Sequence, residues 1–460
     1  MDARHVSRII EILGENAVIV DAEACSPYGR DETEDLYFPP ELVALPENTS
    51  QISALLQYCN EEGIAVTPRG GGTGLSGGAL PVCGGLLLSM ERMNRILEID
   101  LKNLQARVES GVITEELMQA AASHGLYYPI DPSSKGSCFI GGNIAHGSGG
   151  PRVVKYGGIR EYVLNLEVVL ADGSVIWTGA NTLKYAAGYN LTQLMIGSEG
   201  TLGIITKAVL KLIPLPQQTV LLMAAFPDAE RACAAVAAIF MAGAQPSALE
   251  FMERKGVEWV CRYEQISFKI IDQAEAYLLI EIDGNEAEQL RLESEKIYGV
   301  LERLGCLEVL LADSVAQKES LWAIRRRLPH SVKARSIYKE EDTVVPRAAL
   351  PELIAGIKAL ERKYGFESVC YGHAGDGNLH VNILKGSMDD LAWTDQLTDA
   401  IRELFELSIS LGGSISGEHG IGLVQREFMD IPFTQTQIEL MRGIKKFFDP
   451  KGILNPRKIF

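Results

Sequence analysis

The chain has 460 residues, 47% hydrophobic and 22% charged, which makes it globular rather than disordered and long enough for two or three packed domains. A formal net charge of −17 argues against a nucleic-acid binder, because phosphate contacts need clustered Lys and Arg, yet it leaves room for a small anionic substrate in a locally basic pocket. The eight cysteines form no C-x-x-C pair, so this chain offers no iron–sulfur motif and suits a reducing compartment; the charged N-terminus carries no apolar signal core, and the apolar stretch at 232–243 is too short to span a bilayer.

In chain order, residues 1–38 read as a helical, acidic lead-in. A strand over 42–45 stops at Pro46, and Thr49 or Ser50 caps a helix to about Glu62. A strand at 65–68 enters the loop Pro68-Arg69-Gly70-Gly71-Gly72-Thr73-Gly74-Leu75-Ser76-Gly77-Gly78. Strands follow at 86–90, 96–100 and 106–109, then a helix over 114–124 closed by Gly125. Residues 131–150 form a second loop rich in Gly, Ser and Asn. A hairpin (164–170 and 175–178) leads to a third glycine-bearing turn at 197–203 and a strand at 204–213. Pro214 and Pro216 break the chain, and a domain boundary is placed there. Beyond it, strands at 219–226, 248–252, 276–282, 307–311, 366–371 and 379–384 are interspersed with helices at 228–241, 286–304, 315–328 and 350–364. That rhythm predicts an α+β domain, an antiparallel sheet covered by helices. Residues 412–460 are again glycine-rich before a final helix.

The first loop follows a strand, and its glycines allow positive φ and close backbone approach, so successive N–H groups can cradle a diphosphate. Alone it fits a flexible surface turn better, since a short motif match is weak evidence. It is not a Rossmann fingerprint, since no long helix begins in it, and no Gly-Lys-Ser or Gly-Lys-Thr makes it a P-loop. Two further loops of like composition strengthen the ligand reading: Asp131-Pro132-Ser133-Ser134 with Ile140-Gly141-Gly142-Asn143, and Gly197-Ser198-Glu199-Gly200-Thr201-Leu202-Gly203-Ile204-Ile205.

Three of the seven histidines fall in two short motifs, His373-Ala374-Gly375-Asp376-Gly377-Asn378-Leu379-His380-Val381-Asn382 and Gly417-Glu418-His419-Gly420. Neutral imidazoles and carboxylates suit a divalent ion such as Zn²⁺ or Mn²⁺. The intervening glycines let both rings of the first motif converge, and strand alternation puts His380 and Asn382 on one face. The plain alternative is three histidines satisfied by ordinary hydrogen bonds.

The three loops, in this order, resemble the FAD domain of the vanillyl-alcohol oxidase and p-cresol methylhydroxylase superfamily over about residues 39–216. The resemblance implies that Arg69, Gly70, Gly71, Gly72, Thr73, Gly74, Ser76, Gly77, Pro132, Ser133, Gly141, Gly142, Asn143, Gly200, Ile205 and Asn455 lie near FAD. Covalent members carry a His in the first loop; none stands there in this chain, so the implied FAD is non-covalent, and His146 and Cys138 are assigned core or lining roles. Residues from about 217 to 460 resemble the D-2-hydroxyacid dehydrogenases of that superfamily, which include D-lactate dehydrogenases, D-2-hydroxyglutarate dehydrogenase and glycolate oxidase catalytic subunits. This second resemblance implies metal ligands at His373, His380 and Glu418, a base at His419, a substrate contact at Asn382, a carboxylate-gripping Arg325 and a second substrate-side cation at Lys339, with Asp376 bracing its loop.

The implied fold is α+β: a lead-in (1–38), a two-subdomain FAD-binding domain of the p-cresol methylhydroxylase type (39–216), a substrate-binding α+β cap (217–411) and a C-terminal segment returning to the flavin (412–460). The implied reaction oxidises a small D-2-hydroxyacid, with hydride passing to FAD. The implied acceptor is an electron-transferring flavoprotein, an iron–sulfur subunit or a quinone, and the setting is a cytoplasmic protein, as a homodimer or held at the inner membrane face by a partner. Two alternatives stand beside this: a non-redox FAD-dependent transferase of the alkylglycerone-phosphate synthase type, and a non-catalytic electron-transfer subunit. The second predicts a degraded site, whereas His373, His380, Asn382, Glu418 and His419 are all present.

Overall fold

Leu86–Ser89 is buried along its length and pairs in parallel with Leu42–Ala44 on one side and Val66–Arg69 on the other. Parallel strands need a crossover, and helix Thr49–Glu62 supplies it. Its N-cap is Asn48, not Thr49 or Ser50: the Asn48 side chain accepts the Gln51 N–H at 3.0 Å, and Gly63 closes the helix in the left-handed region. Ile52, Leu55, Leu56 and Cys59 bury its inner face in one core with these strands. Near the chain end, Leu454 forms a parallel bridge with Val66. A second, five-stranded antiparallel sheet runs in the order Ile96–Asp100, Gln105–Glu109, Ile204–Lys211, Val163–Val169, Val175–Trp177. The expected hairpin is its last pair.

The computed structural model describes residues 1–266, 268 and 270–460. They fall into two compact units. These two sheets belong to the first, which comprises Met1–Gly149, Gly158–Leu215 and Glu418–Phe460. The second comprises Gly150–Gly157 and Pro216–Gly417.

The second unit is built on a seven-stranded, wholly antiparallel sheet in the order Glu308–Ala312, Gln218–Phe226, Ala276–Gly284, Ala248–Glu253, Glu367–Gly372, Asn378–Leu384, Tyr338–Val344. Helices Arg254–Tyr263 and Val315–Lys333 share a core with Leu221, Met223, Met252, Leu279 and Tyr371 of one sheet face. Helix Ala229–Met241 lies over the strands 218–226, 248–253 and 276–284, packed beside Ala287–Arg303 and Leu350–Tyr364. The mixed α+β class with an antiparallel, helix-covered sheet is as expected. Several elements are not: helix Ile140–His146 stands inside the expected second loop, and helix Arg254–Tyr263, strand Tyr338–Val344 and helix Asp390–Ser410 are among those additional. Helix Val315–Lys333 also runs past Leu328 through Pro329, which leaves the Arg325 carbonyl without its usual helical donor. Among the described residues, no helix is long and apolar enough to cross a membrane.

Between strands Glu367–Gly372 and Asn378–Leu384 the chain turns at Gly377, with φ +87°. A Cβ there would stand 1.9 Å from the Val345 carbonyl oxygen. Gly377→Ala is expected to cost at least ~2 kcal/mol, from the left-handed backbone and the clash together. Thermal unfolding followed by circular dichroism checks this; an unchanged Tm contradicts it.

Candidate functional site

In the first unit, the start of the glycine loop, helix Ile140–His146 and the turn at 197–203 converge on one cavity. Of the residues expected near a cofactor, Arg69, Gly70, Gly141, Gly142, Gly200 and Ile205 line it. The helix breaks composition rules, with two glycines and an asparagine, because its backbone must come close to the loop: a Cβ on Gly70 would meet the Gly142 Cα at 3.4 Å. Ser110 Oγ and His146 Nδ1 are buried without a hydrogen-bond partner, and both residues line the cavity. A cavity with glycine walls and orphaned polar atoms fits a polar cofactor such as FAD.

The other expected residues do not line the cavity: Gly71, Gly72, Thr73, Gly74, Ser76, Gly77, Pro132, Ser133, Asn143 and Asn455. Asn143 is buried and donates to Thr114 Oγ1 at 2.6 Å. Asn455 is a strut, donating to the Gly78 and Glu199 carbonyls at 2.9 and 2.7 Å. Sequence reasoning missed Ser110 and Glu199 as lining residues. Glu199 is 6% exposed; its carboxylate accepts the Ile421 and Gly422 N–H groups at 2.8 and 2.7 Å, fixing the turn just after His419. Burial raises its pKa, opposed in part by His146 and by those two N–H groups.

In the second unit, the polar residues collect on the sheet face covered by helix Val315–Lys333. Glu250, on the fully buried strand Ala248–Glu253, is 1% exposed. Its Oε2 accepts from Arg325 Nε at 2.7 Å, and both its oxygens lie 2.9 Å from His373 Nδ1. Burial alone would raise its pKa; His373 and Arg325 outweigh burial and hold the carboxyl below the usual range. The His373 and His380 rings meet edge-on with centroids 5.5 Å apart. Register sets Asp342 opposite His380 and Glu340 opposite Asn382, and His380 Nδ1 lies 3.7 Å from a carboxylate oxygen of each acid. Arg325 stands over the Tyr371 ring at 5.2 Å, and Tyr371 donates to Glu340 at 3.4 Å. Burial, then Glu340, pushes the Tyr371 phenol well above its ordinary value.

Arg325 Nη2 is buried without an acceptor. Asn382 is wholly buried and, apart from an interaction with Tyr371, its carboxamide satisfies no hydrogen bond. Asp376 braces its loop by accepting the Asn378 N–H at 3.3 Å. Lys339 pairs with Ile383, so alternation turns it to the face away from His380 and Asn382; it is not among the residues brought together. Glu250, Glu340 and Asp342 were missed by sequence reasoning. Glu418 and His419 begin the last segment of the first unit.

The chain matches the family described as "FAD binding domain" over residues 40–179 and the one described as "FAD linked oxidases, C-terminal domain" over residues 215–459. It belongs to the FAD-linked oxidases and is an FAD-dependent oxidoreductase. Within that class it is 39% identical to the glycolate oxidase subunit GlcD of Bacillus subtilis, over 94% of this chain and 92% of that one. It is also 39% identical to a D-lactate dehydrogenase of Anaerostipes hadrus (91% and 89%), and 33% identical to a D-2-hydroxyglutarate dehydrogenase of Stutzerimonas stutzeri (96% and 96%). Among solved structures, p-cresol methylhydroxylase superposes with a TM-score of 0.82 at 18% identity, covering 99% of this chain and 96% of that one. Alkyldihydroxyacetonephosphate synthase superposes with a TM-score of 0.77 at 20% identity, covering 100% and 86%. At these identities the two structures establish the fold alone.

Gly142 lines the cavity, and a Cβ there would meet only the Gly70 Cα, at 3.9 Å. Gly142→Val therefore fills cofactor space while leaving the protein wall nearly untouched. FAD affinity is expected to fall about tenfold or more, the scale of an overpacked site, with little change in the Tm of the apoprotein. Flavin fluorescence titration of apoprotein checks this; wild-type affinity contradicts it.

Proposed function

We propose that this oxidoreductase acts on the CH–OH group of a small D-2-hydroxyacid, of the lactate, glycolate or 2-hydroxyglutarate class, and forms the 2-oxoacid. The observation that carries the reading is Arg325, 4% exposed, held through Nε by Glu250 and left with a buried, unsatisfied Nη2. Such a group costs ~1–3 kcal/mol when unmet, and a substrate carboxylate meets it. The unsatisfied Asn382 carboxamide supports a polar ligand at the same sheet face, and the names of the relatives support the substrate class.

In this reading Arg325 binds the carboxylate and Asn382 orients the substrate. His419, as neutral imidazole, takes the hydroxyl proton. FAD, when bound non-covalently, supplies the hydride acceptor. His373, His380 and Glu418 are the residues that would hold a divalent cation, Zn²⁺ or Mn²⁺, and such an ion lowers the pKa of an alcohol. The donor set fits in kind: two imidazoles and a carboxylate are ordinary ligands of such an ion, and Glu250 at His373 Nδ1 fixes the ring that presents Nε2. The protein's main contribution is orientation of the substrate α-carbon towards the flavin. Electrons leave through an electron-transferring flavoprotein, an iron–sulfur subunit or a quinone.

Anaerobic titration of the FAD-loaded protein with D- and L-hydroxyacids tests the reading. Stoichiometric bleaching of the flavin by D-lactate, glycolate or D-2-hydroxyglutarate, and not by the L-acids, is expected; no bleaching by any of them sinks it. His419→Ala is expected to abolish that reduction in stopped flow while FAD stays bound. Reduction at an undiminished rate would remove His419 from its role.

A further inference from the structure

We propose that Glu250 is a positioning residue that sets Arg325 and His373 together from a single carboxylate. This deepens, and rests on, the substrate role given to Arg325 and the metal role given to His373. The three side chains come from a strand, a helix and a loop, with sequence separations of 75 residues to Arg325 and 123 to His373. All three are nearly inaccessible to solvent, at 1%, 4% and 5% exposure.

The contact fixes a different property on each side. At His373, a carboxylate 2.9 Å from Nδ1 keeps the proton there, so that Nε2 carries the lone pair. At Arg325, engaging Nε at 2.7 Å sets the plane of the guanidinium, and the Tyr371 ring backs it at 5.2 Å. That leaves Nη2 as the end turned to a ligand. A separate anchor for each group would make the two functions independent; a shared one couples them.

Docking of the helix that carries Arg325 has its own support. Trp322, one turn earlier, donates through Nε1 to the buried Glu281 at 2.9 Å, and Leu321, Ile324, Leu328 and Val332 pack in the core. Loss of charge at Glu250 therefore disorients side chains and leaves the helix seated.

The test is Glu250→Gln, equal in shape and uncharged, studied as FAD-loaded protein. Two readouts are taken: the KM for the hydroxyacid, and the affinity for Zn²⁺ and Mn²⁺ measured by chelator competition without turnover. Both are expected to worsen, each by about 10–100-fold, with flavin content unchanged. Glu250→Asp keeps the charge but is one methylene too short to hold both groups, so it shifts both readouts less. Two single variants separate this inference from the reading beneath it. Arg325→Met should raise KM with metal affinity unchanged, and His373→Ala should lose metal affinity, with KM rising only through that loss. If His373→Ala keeps its metal affinity, the metal role fails. If both single variants behave as stated but Glu250→Gln moves one readout or neither, the shared anchor is wrong. Should Glu250→Gln not fold, Glu250→Asp carries the test, and wild-type KM and metal affinity there overturn the proposal.

Discussion

An ionised carboxylate inside an apolar sheet is tolerable only with a cation or several donors beside it, and the second unit is organised by that constraint. Four of its buried strand carboxylates show this by joining distant elements. Glu250 meets Arg325 and His373; Glu281 meets Arg152 and the Trp322 indole. Asp283 meets Lys155 and Tyr156; Glu253 meets Lys358 and the Cys370 N–H. Each pair joins a strand to an element that is remote in sequence: helix Val315–Lys333, the segment Gly150–Gly157, helix Leu350–Tyr364 or the loop at His373. Removing one partner of such a pair typically costs ~3–5 kcal/mol, whereas the intact pair adds little net stability. The pairs therefore fix where elements stand more than they raise the total stability.

The candidate sites in the two units are built by opposite means. In the first, side chains are withheld: Gly70, Gly141, Gly142 and Gly200 keep the walls of the cavity at backbone, and few polar atoms, such as Ser110 Oγ, are left to be satisfied. That suits a cofactor that performs its own redox chemistry and needs mainly to be held. In the second, charged side chains crowd one sheet face, and their orientations are constrained by one another. That suits selection of a small charged molecule, where binding strength comes from a few directed contacts.

What could be read from the sequence follows the same division. The glycine loops and the His373 to Asn382 motif are legible because their chemistry-bearing residues lie close together along the chain. Glu250 is not: Leu249-Glu250-Phe251-Met252-Glu253 carries no mark of function, and only strand register brings it to His373. The run Lys339-Glu340-Glu341-Asp342 has no apolar residue to mark an inner strand, yet it is a strand in which Glu341 and Asp342 are buried. Asp342 is accommodated by donors from Asn378 Nδ2 at 2.6 Å, Ser416 Oγ at 3.0 Å and the Gly417 N–H at 2.8 Å. Helix Ile140–His146 is hidden by its own composition, since the glycines that allow close approach to Gly70 are the residues that argue against a helix.

Charge balance then bears on what the sheet face can accept. Glu250, Glu340 and Asp342 stand around His373 and His380, with the Arg325 guanidinium on Glu250. The Arg325 charge is already shared with Glu250, so an arriving hydroxyacid would bring one more negative charge beside three carboxylates. At short range in a buried site, like charges repel strongly. A divalent cation on the imidazoles reverses the sign of the local field, whereas protonating the acids would dismantle the contacts that Glu250 and Asp342 make. The acidic surroundings of the two histidines, which at first look hostile to an anionic substrate, are thus the feature that most favours the proposed metal.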